Sequence, residues 1–414
     1  MSAAYAVDST WLGGVSTDWG DTNNWDNGLP TTNAIFGTVD SNPSVDLGES
    51  GRSCGGSGDH GITFNAAVNT TIGSSQTNTL TSEYIIVNGG SHKISAQMLG
   101  SPNTRIMGHG DLTLSNVTTF TFCIGSNEGR APAGMADKYT SGTVTLLGDI
   151  SSGGCVIGDY HYGGQSPVTV AIGGNIRNTY WFTGLLPGIR VTVLDGSHLI
   201  NDTHDGVYIS SITFDGPGDL AFGANTWLDE RVNGETMYTM NGTGRVIFDG
   251  LKEYSAPWKL IKTGPGVMEI GGAATYTGST IINAGTLKLG PTGSIASASI
   301  TMEAGGVLDV TATASYALAG ANTYTFGVNP AGAGSAGRID GGGLDINSAN
   351  VVLSADGPLD DSVYILATYN PPLTGAQFAS VTALPRGYMI DYGYHGTQIA
   401  LIRIPATGTT LTVQ

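Results

Sequence analysis

GPGVMEIGGAATYTGSTIINAGTLKLGPTGSIASASITMEAGGVLDV, residues 264–310, says one short phrase three times. A glycine is followed by any residue, an apolar residue, a polar or small one, and a second apolar residue. The copies are GVMEI from Gly266, GTLKL from Gly285 and GVLDV from Gly306. Strand side chains alternate between faces, so Met268, Leu287 and Leu308 share one inward position and Ile270, Leu289 and Val310 the next. Glu269, Lys288 and Asp309 point the other way. The copies start about twenty residues apart, the period of a solenoid coil.

Working outward, the phrase recurs as GDLTL from Gly110, GDLAF from Gly218, GRVIF from Gly244 and GGLDI from Gly342. The last adds Leu344 and Ile346 to the two inward positions and Asp345 to the outward one. A second family reads VTLLGDI from Val144, VTVAIGGNI from Val168 and VTVLDGSHLI from Val191. A β pattern of this period, with glycine corners and no helical segment, predicts an all-β, parallel β-helix of two or three short strands per coil. A β-sandwich or propeller fits less well, because the strands share one inward register and lack regular hairpin signals.

Composition agrees. The 414 residues include 64 glycines, and only 12 % are charged, so the residues that stabilise exposed helices are scarce. At 40 % hydrophobic, the chain can bury a core. Thirty-three acidic against 16 basic residues give a net charge of −17. That balance, without Lys/Arg clusters, argues against a nucleic-acid partner and an anionic membrane surface. No apolar run approaches the ~18–20 residues of a spanning helix, so membrane insertion is not expected. Cys54, Cys123 and Cys155 read as buried small side chains, with a Cys123–Cys155 disulfide as the alternative. The first residues, MSAAYAVDST, show no signal peptide.

Both ends depart from the repeat. Residues 1–50 hold Trp11, Trp19 and Trp25 and read as a capping segment, because an open first coil exposes strand edges and core. A tryptophan-lined glycan site is the alternative. Residues 51–362 form the β-helix, and residues 363–414 a C-terminal β cap with a hairpin around Tyr394–Gln398. The expected assembly residues are Trp11, Trp19, Trp25, Ile399, Leu401, Ile402 and Ile404.

The stretch from Leu260 to Val310 resembles the passenger-associated repeat of autotransporter-type bacterial surface proteins. The opening TWLGG…DWGDTNNWDNGLP and the closing YILATYN…LPRGYMIDYGYHGTQIALIRI are similar to the two ends of such passengers. This resemblance implies a right-handed parallel β-helix displayed outside a bacterial cell, with no catalytic residues to carry over. The chain has no stretch for an outer-membrane barrel of alternating strands, so self-secretion is not expected.

Parallel β-helices also carry pectin-degrading enzymes, so acid–base and metal constellations matter. Gly108-His109-Gly110 is similar to a short polygalacturonase motif, but the only adjacent acid pair, Asp360-Asp361, comes far too late in the chain. His109 also aligns with Pro217 when GHGDLTL is set against GPGDLAF, which makes it a turn residue. His198, Asp202, His204 and Asp205 offer a metal set, yet Asp beside glycine is expected from turn geometry alone. GGGLD from Gly341 occurs once, where calcium-binding rolls need tandem copies. GDYHYGG from Gly158, with Tyr180, Trp181 and Trp227, offers sugar-stacking aromatics. Asn69 and Asn116 open Asn-x-Thr sequons, which matter only in a eukaryotic secretory pathway. No catalytic, metal or cofactor residue is assigned.

Three functions remain: an extracellular structural or adhesive protein, expected as the self-assembling, end-to-end subunit of a surface fibre with no catalytic activity; a carbohydrate-active enzyme or glycan-binding module; and a phage fibre component. The expected partners are a second copy of the chain, extracellular polysaccharide or other cell-surface components.

Overall fold

The computed structural model describes residues 7–38, 42–54, 61–99, 103–125, 139–158, 168–180, 183–228, 235–253, 257–318, 322–329 and 335–405. It divides into two compact units, Met1–Tyr254 and Ser255–Gln414. Both are parallel β-solenoids. Among the described residues the only helical turn is Thr22–Asn24.

A coil has three sides, each with one short strand. In the first unit Arg190–Val193, Ser197–Asp202 and Val207–Ile209 make one coil, and Ile212–Asp215, Asp219–Phe222 and Thr226–Leu228 make the next. They stack parallel and in register, with Val191 on Phe214, Ile200 on Phe222 and Ile209 on Leu228. All six side chains are buried. Where the second and third sides merge, one long strand serves both, as in Val117–Ile124 and Ile150–Ile157. Corners need glycine: Gly216 adopts φ +96°, and a Cβ there would lie 2.1 Å from the carbonyl oxygen of Val193.

The V-T family occupies the first side, where Val144, Val170 and Val191 stack. GDLTL from Gly110 lies there too, with Leu112 on Val144. GDLAF from Gly218 lies on the second side, with Leu220 on Val246. The two phrases are therefore not equivalent, and His109 is not the counterpart of Pro217. His109 is exposed at the end of strand Asn103–His109.

In the second unit Met268, Leu287 and Leu308 stack and are fully buried, as are Ile270 and Leu289. Outside, Lys288 Nζ lies 3.3 Å from Glu269. The repeat expected from Gly342 is corrected here. Leu308 stacks on Ile339, whereas Leu344 stacks on Tyr316, one side further round. Gly337-Arg338-Ile339-Asp340 carries the phrase instead. The second apolar place is taken by Gly341, which lets the glycine run suggest a false phase.

The first unit begins with a closure. Ser9–Thr10 pairs with Ala34 and Ile35, and the backbone of Thr17 and Trp19 bonds to Asp46, so two edges of the first coil are covered. Trp11, Trp19 and Trp25 turn inward over Phe36, with ring centroids 6.2, 5.3 and 5.5 Å away. Phe36 continues to Phe64 at 5.7 Å, so the indoles plug the end of an aromatic core column. The solenoid itself already includes Ala34–Phe36 and Ser44–Asp46.

The second unit ends differently. Ser380–Thr382 is still parallel, and then Tyr388–Tyr394 and Gln398–Arg403 form the expected hairpin, with Tyr394 opposite Gln398. Gln398–Arg403 also runs antiparallel to Val363–Tyr369, so both its edges are paired.

Candidate functional site

On the second side of the first unit, outward positions of neighbouring coils line up as Thr118, Ser151, Arg177 and Asn201. An open groove runs along the first three, lined by Thr118, Ser151, Gly153, Arg177, Thr179 and Tyr180. Tyr180 is 54 % exposed, and its ring stacks on that of His204 at 6.1 Å and 26°. Thr118, Ser151, Arg177 and Thr179 are also exposed. Arg177 forms no ion pair among the described residues.

Beneath the groove the inward positions at the bend are polar rather than apolar. Thr119, Ser152, Asn178 and Asp202 stack there and are buried. Ser152 donates to Asn178 Oδ1, Asn178 Nδ2 donates to Thr183 Oγ1, and Thr183 donates to Asp202 Oδ2 at 3.2 Å. Asp202 Oδ1 accepts the backbone N–H groups of His204, at 2.9 Å, and Asp205, at 3.2 Å. A buried carboxylate is tolerated because its lone pairs are satisfied. It also fixes the turn that presents His204 to Tyr180. His204 Nδ1 lies 2.8 Å from Asp205 Oδ1.

His198, Asp202, His204 and Asp205 do not converge on one point. His198 Nε2 lies 3.1 Å from the Leu194 carbonyl, while Asp202 is committed to the bend, and no metal-holding group of His, Cys, Asp or Glu occurs among the described residues. Cys123 and Cys155 do not form a disulfide with each other. They sit on adjacent strands, but Cys155 stacks on Phe122 in the core whereas Cys123 stacks on Val156 on the other face. Burial pushes the Cys155 thiol up, and that of Cys54 up to about 12. Tyr208 and Trp227 stack at 6.2 Å, and Lys252 Nζ lies 5.1 Å from the Trp227 ring. Trp181 and residues 159–164 of GDYHYGG lie outside the described residues. Asn69 and Asn116 bond to the backbone of the next coil, at Ser91 and Asp149. Asp360 and Asp361 form a turn whose N–H groups bond to the Tyr364 hydroxyl.

Of the expected assembly residues, Trp11, Trp19, Trp25, Ile399 and Leu401 are buried, Ile402 is half-buried and Ile404 is 49 % exposed. Buried polar features escaped sequence reading, two of them prominent. One is the bend column, whose signal is Ile-polar-Ser/Asn/Asp at 150–152, 176–178 and 200–202. The other is Lys262, which is fully buried and donates to the carbonyls of Gly264 at 2.6 Å and Ala284 at 2.7 Å. Burial lowers its pKa to about 8.

The passenger-associated-transport-repeat family matches residues 260–289. These residues begin in strand Lys259–Thr263, pass through Val267–Ala274 and Thr280–Ile282, and end in Gly285–Leu289. No curated protein and no solved structure matches the chain. The matched repeat implies a secreted or cell-surface bacterial protein, and the coil geometry is that of a parallel β-solenoid.

Proposed function

We propose that the chain is a surface-displayed structural and adhesive β-solenoid that performs no chemistry. One observation carries this reading: the side chains that define the matched repeat all serve the coil. Met268, Ile270, Leu287 and Leu289 fill the core, Lys262 ties down corner carbonyls, and Glu269 pairs with Lys288 across coils. Polygalacturonate incubated with purified protein should release no new reducing ends. Turnover above a heat-inactivated control would overturn the non-catalytic reading.

End-to-end self-association is a second reading, favoured by one edge. Ser380–Thr382 pairs with Asn350–Ala355 and with no further strand among the described residues. Such an edge accepts an added strand through main-chain hydrogen bonds. Sedimentation should then show mass rising with protein concentration. A monomer throughout would remove this reading.

A further inference from the structure

We infer that the groove beside Arg177 binds a polyuronate, an acidic polysaccharide whose sugars each carry a carboxylate. The inference rests on the adhesive reading and names its ligand class.

Three kinds of group face the groove, and each matches one part of such a sugar. Arg177 offers a planar fork of donors, the geometry that takes a carboxylate in two parallel hydrogen bonds. It is exposed and has no ion partner among the described residues, in a chain with twice as many acidic as basic residues. Thr118, Ser151 and Thr179 offer hydroxyls that both donate and accept, as sugar hydroxyls do. Tyr180 presents an exposed ring for an apolar sugar face, steadied from one side by His204.

Spacing supports an extended chain rather than a single sugar. Thr118, Ser151 and Arg177 sit on three successive coils, so the column spans about 9–10 Å at the usual strand separation. That length holds two linked pyranose rings lying along the column. The platform is also rigid before binding, because the column Ser152–Asn178–Thr183–Asp202 anchors the strands beneath it and the His204 turn. Little ordering cost then falls on the protein.

Titration calorimetry of the whole protein with tetragalacturonate tests this. Saturable binding is expected. Arg177→Gln should weaken it at least tenfold, and Tyr180→Ala should weaken it too. Cellotetraose, uncharged and of equal length, should bind at least tenfold more weakly than tetragalacturonate to the native protein. Lys288→Ser, in the second unit, should leave binding unchanged. Absence of binding, an unaffected Arg177→Gln variant with native circular dichroism, or equal affinity for cellotetraose or dextran sulfate would each overturn the assignment. Mass spectra of the titrated sugar separate the two readings. Shortened chains would sink the non-catalytic function and leave the groove standing, whereas intact sugar that does not bind would sink the groove alone.

Discussion

The first coil of the first unit and the last strands of the second face the same physical problem and solve it with different chemistry. A parallel coil that stops leaves unpaired backbone groups and an open core. At the first coil the core is plugged: three indoles pack against one another and Phe36, with Trp11 and Trp25 centroids 5.1 Å apart. At the last strands a hairpin that buries Ile399 and Leu401 is tied down by a polar clamp. The Tyr388 hydroxyl donates to the Asp361 carbonyl at 2.6 Å, and Arg403 donates to the carbonyl of Asp360 at 2.7 Å. Apolar filling is worth more per side chain than a neutral hydrogen bond, so the two closures should fail with different severity.

A regular coil calibrates the scale. Leu287→Asp buries an unpaired charge among fully buried neighbours and should cost about 4–5 kcal/mol or unfold the second unit. Trp25→Ala should cost about 3–5 kcal/mol by opening a cavity in the plug. Thermal melts that leave Trp25→Ala at the native midpoint would erase the contrast between the closures. Tyr388→Phe removes one hydroxyl and should cost about 1 kcal/mol. A loss as large as that of Trp25→Ala would show the clamp to be the equal of the plug. Lys288→Ser, on a coil surface, should stay within about 1 kcal/mol. If it matches Leu287→Asp, the inward and outward assignments are reversed.

Lys262 adds a test by pH. Its folded pKa of about 8 lies below its ordinary value of 10.5, so between these values the unfolded chain binds a proton that the folded chain does not. Stability therefore rises with pH across that window. Buried Tyr276, whose pKa is raised by burial, opposes this near pH 10, because unfolding frees it to ionise. The second unit should gain stability from pH 8 to about pH 9.5, and Lys262→Met should flatten that gain. Parallel curves for the two proteins would show that the amine is not the cause.

Much of the fold was legible because the coil is periodic. Gly266, Gly285 and Gly306 gave the correct register, since one inward pair per strand must stay apolar. The phase failed at Gly342, where Gly341 replaces an apolar residue and several glycines satisfy the same phrase. Alternation has a period of two, so it assigns a side chain to inside or outside but not to one of three sides. That is why GDLTL and GDLAF looked equivalent. The groove was half visible: Tyr180 stood out as an aromatic, but its meeting with Arg177, Ser151 and Thr118 depends on stacking between coils. Asp202 reads in sequence as an ordinary turn residue, because its bonds from the His204 and Asp205 N–H groups are those of a turn, whereas the Thr183 hydroxyl that completes its buried setting comes from the neighbouring coil.

The buried amine of Lys262 also gives the protein a chemical clock. The chain has six lysines, and this one is shut from solvent with its proton loosely held. Above about pH 8 it is an uncharged nucleophile, yet an acylating reagent reaches it only when the corner around Gly264 and Gly285 springs open. Its rate of labelling, read by peptide mass, would report how often one coil breathes while its neighbours stay closed.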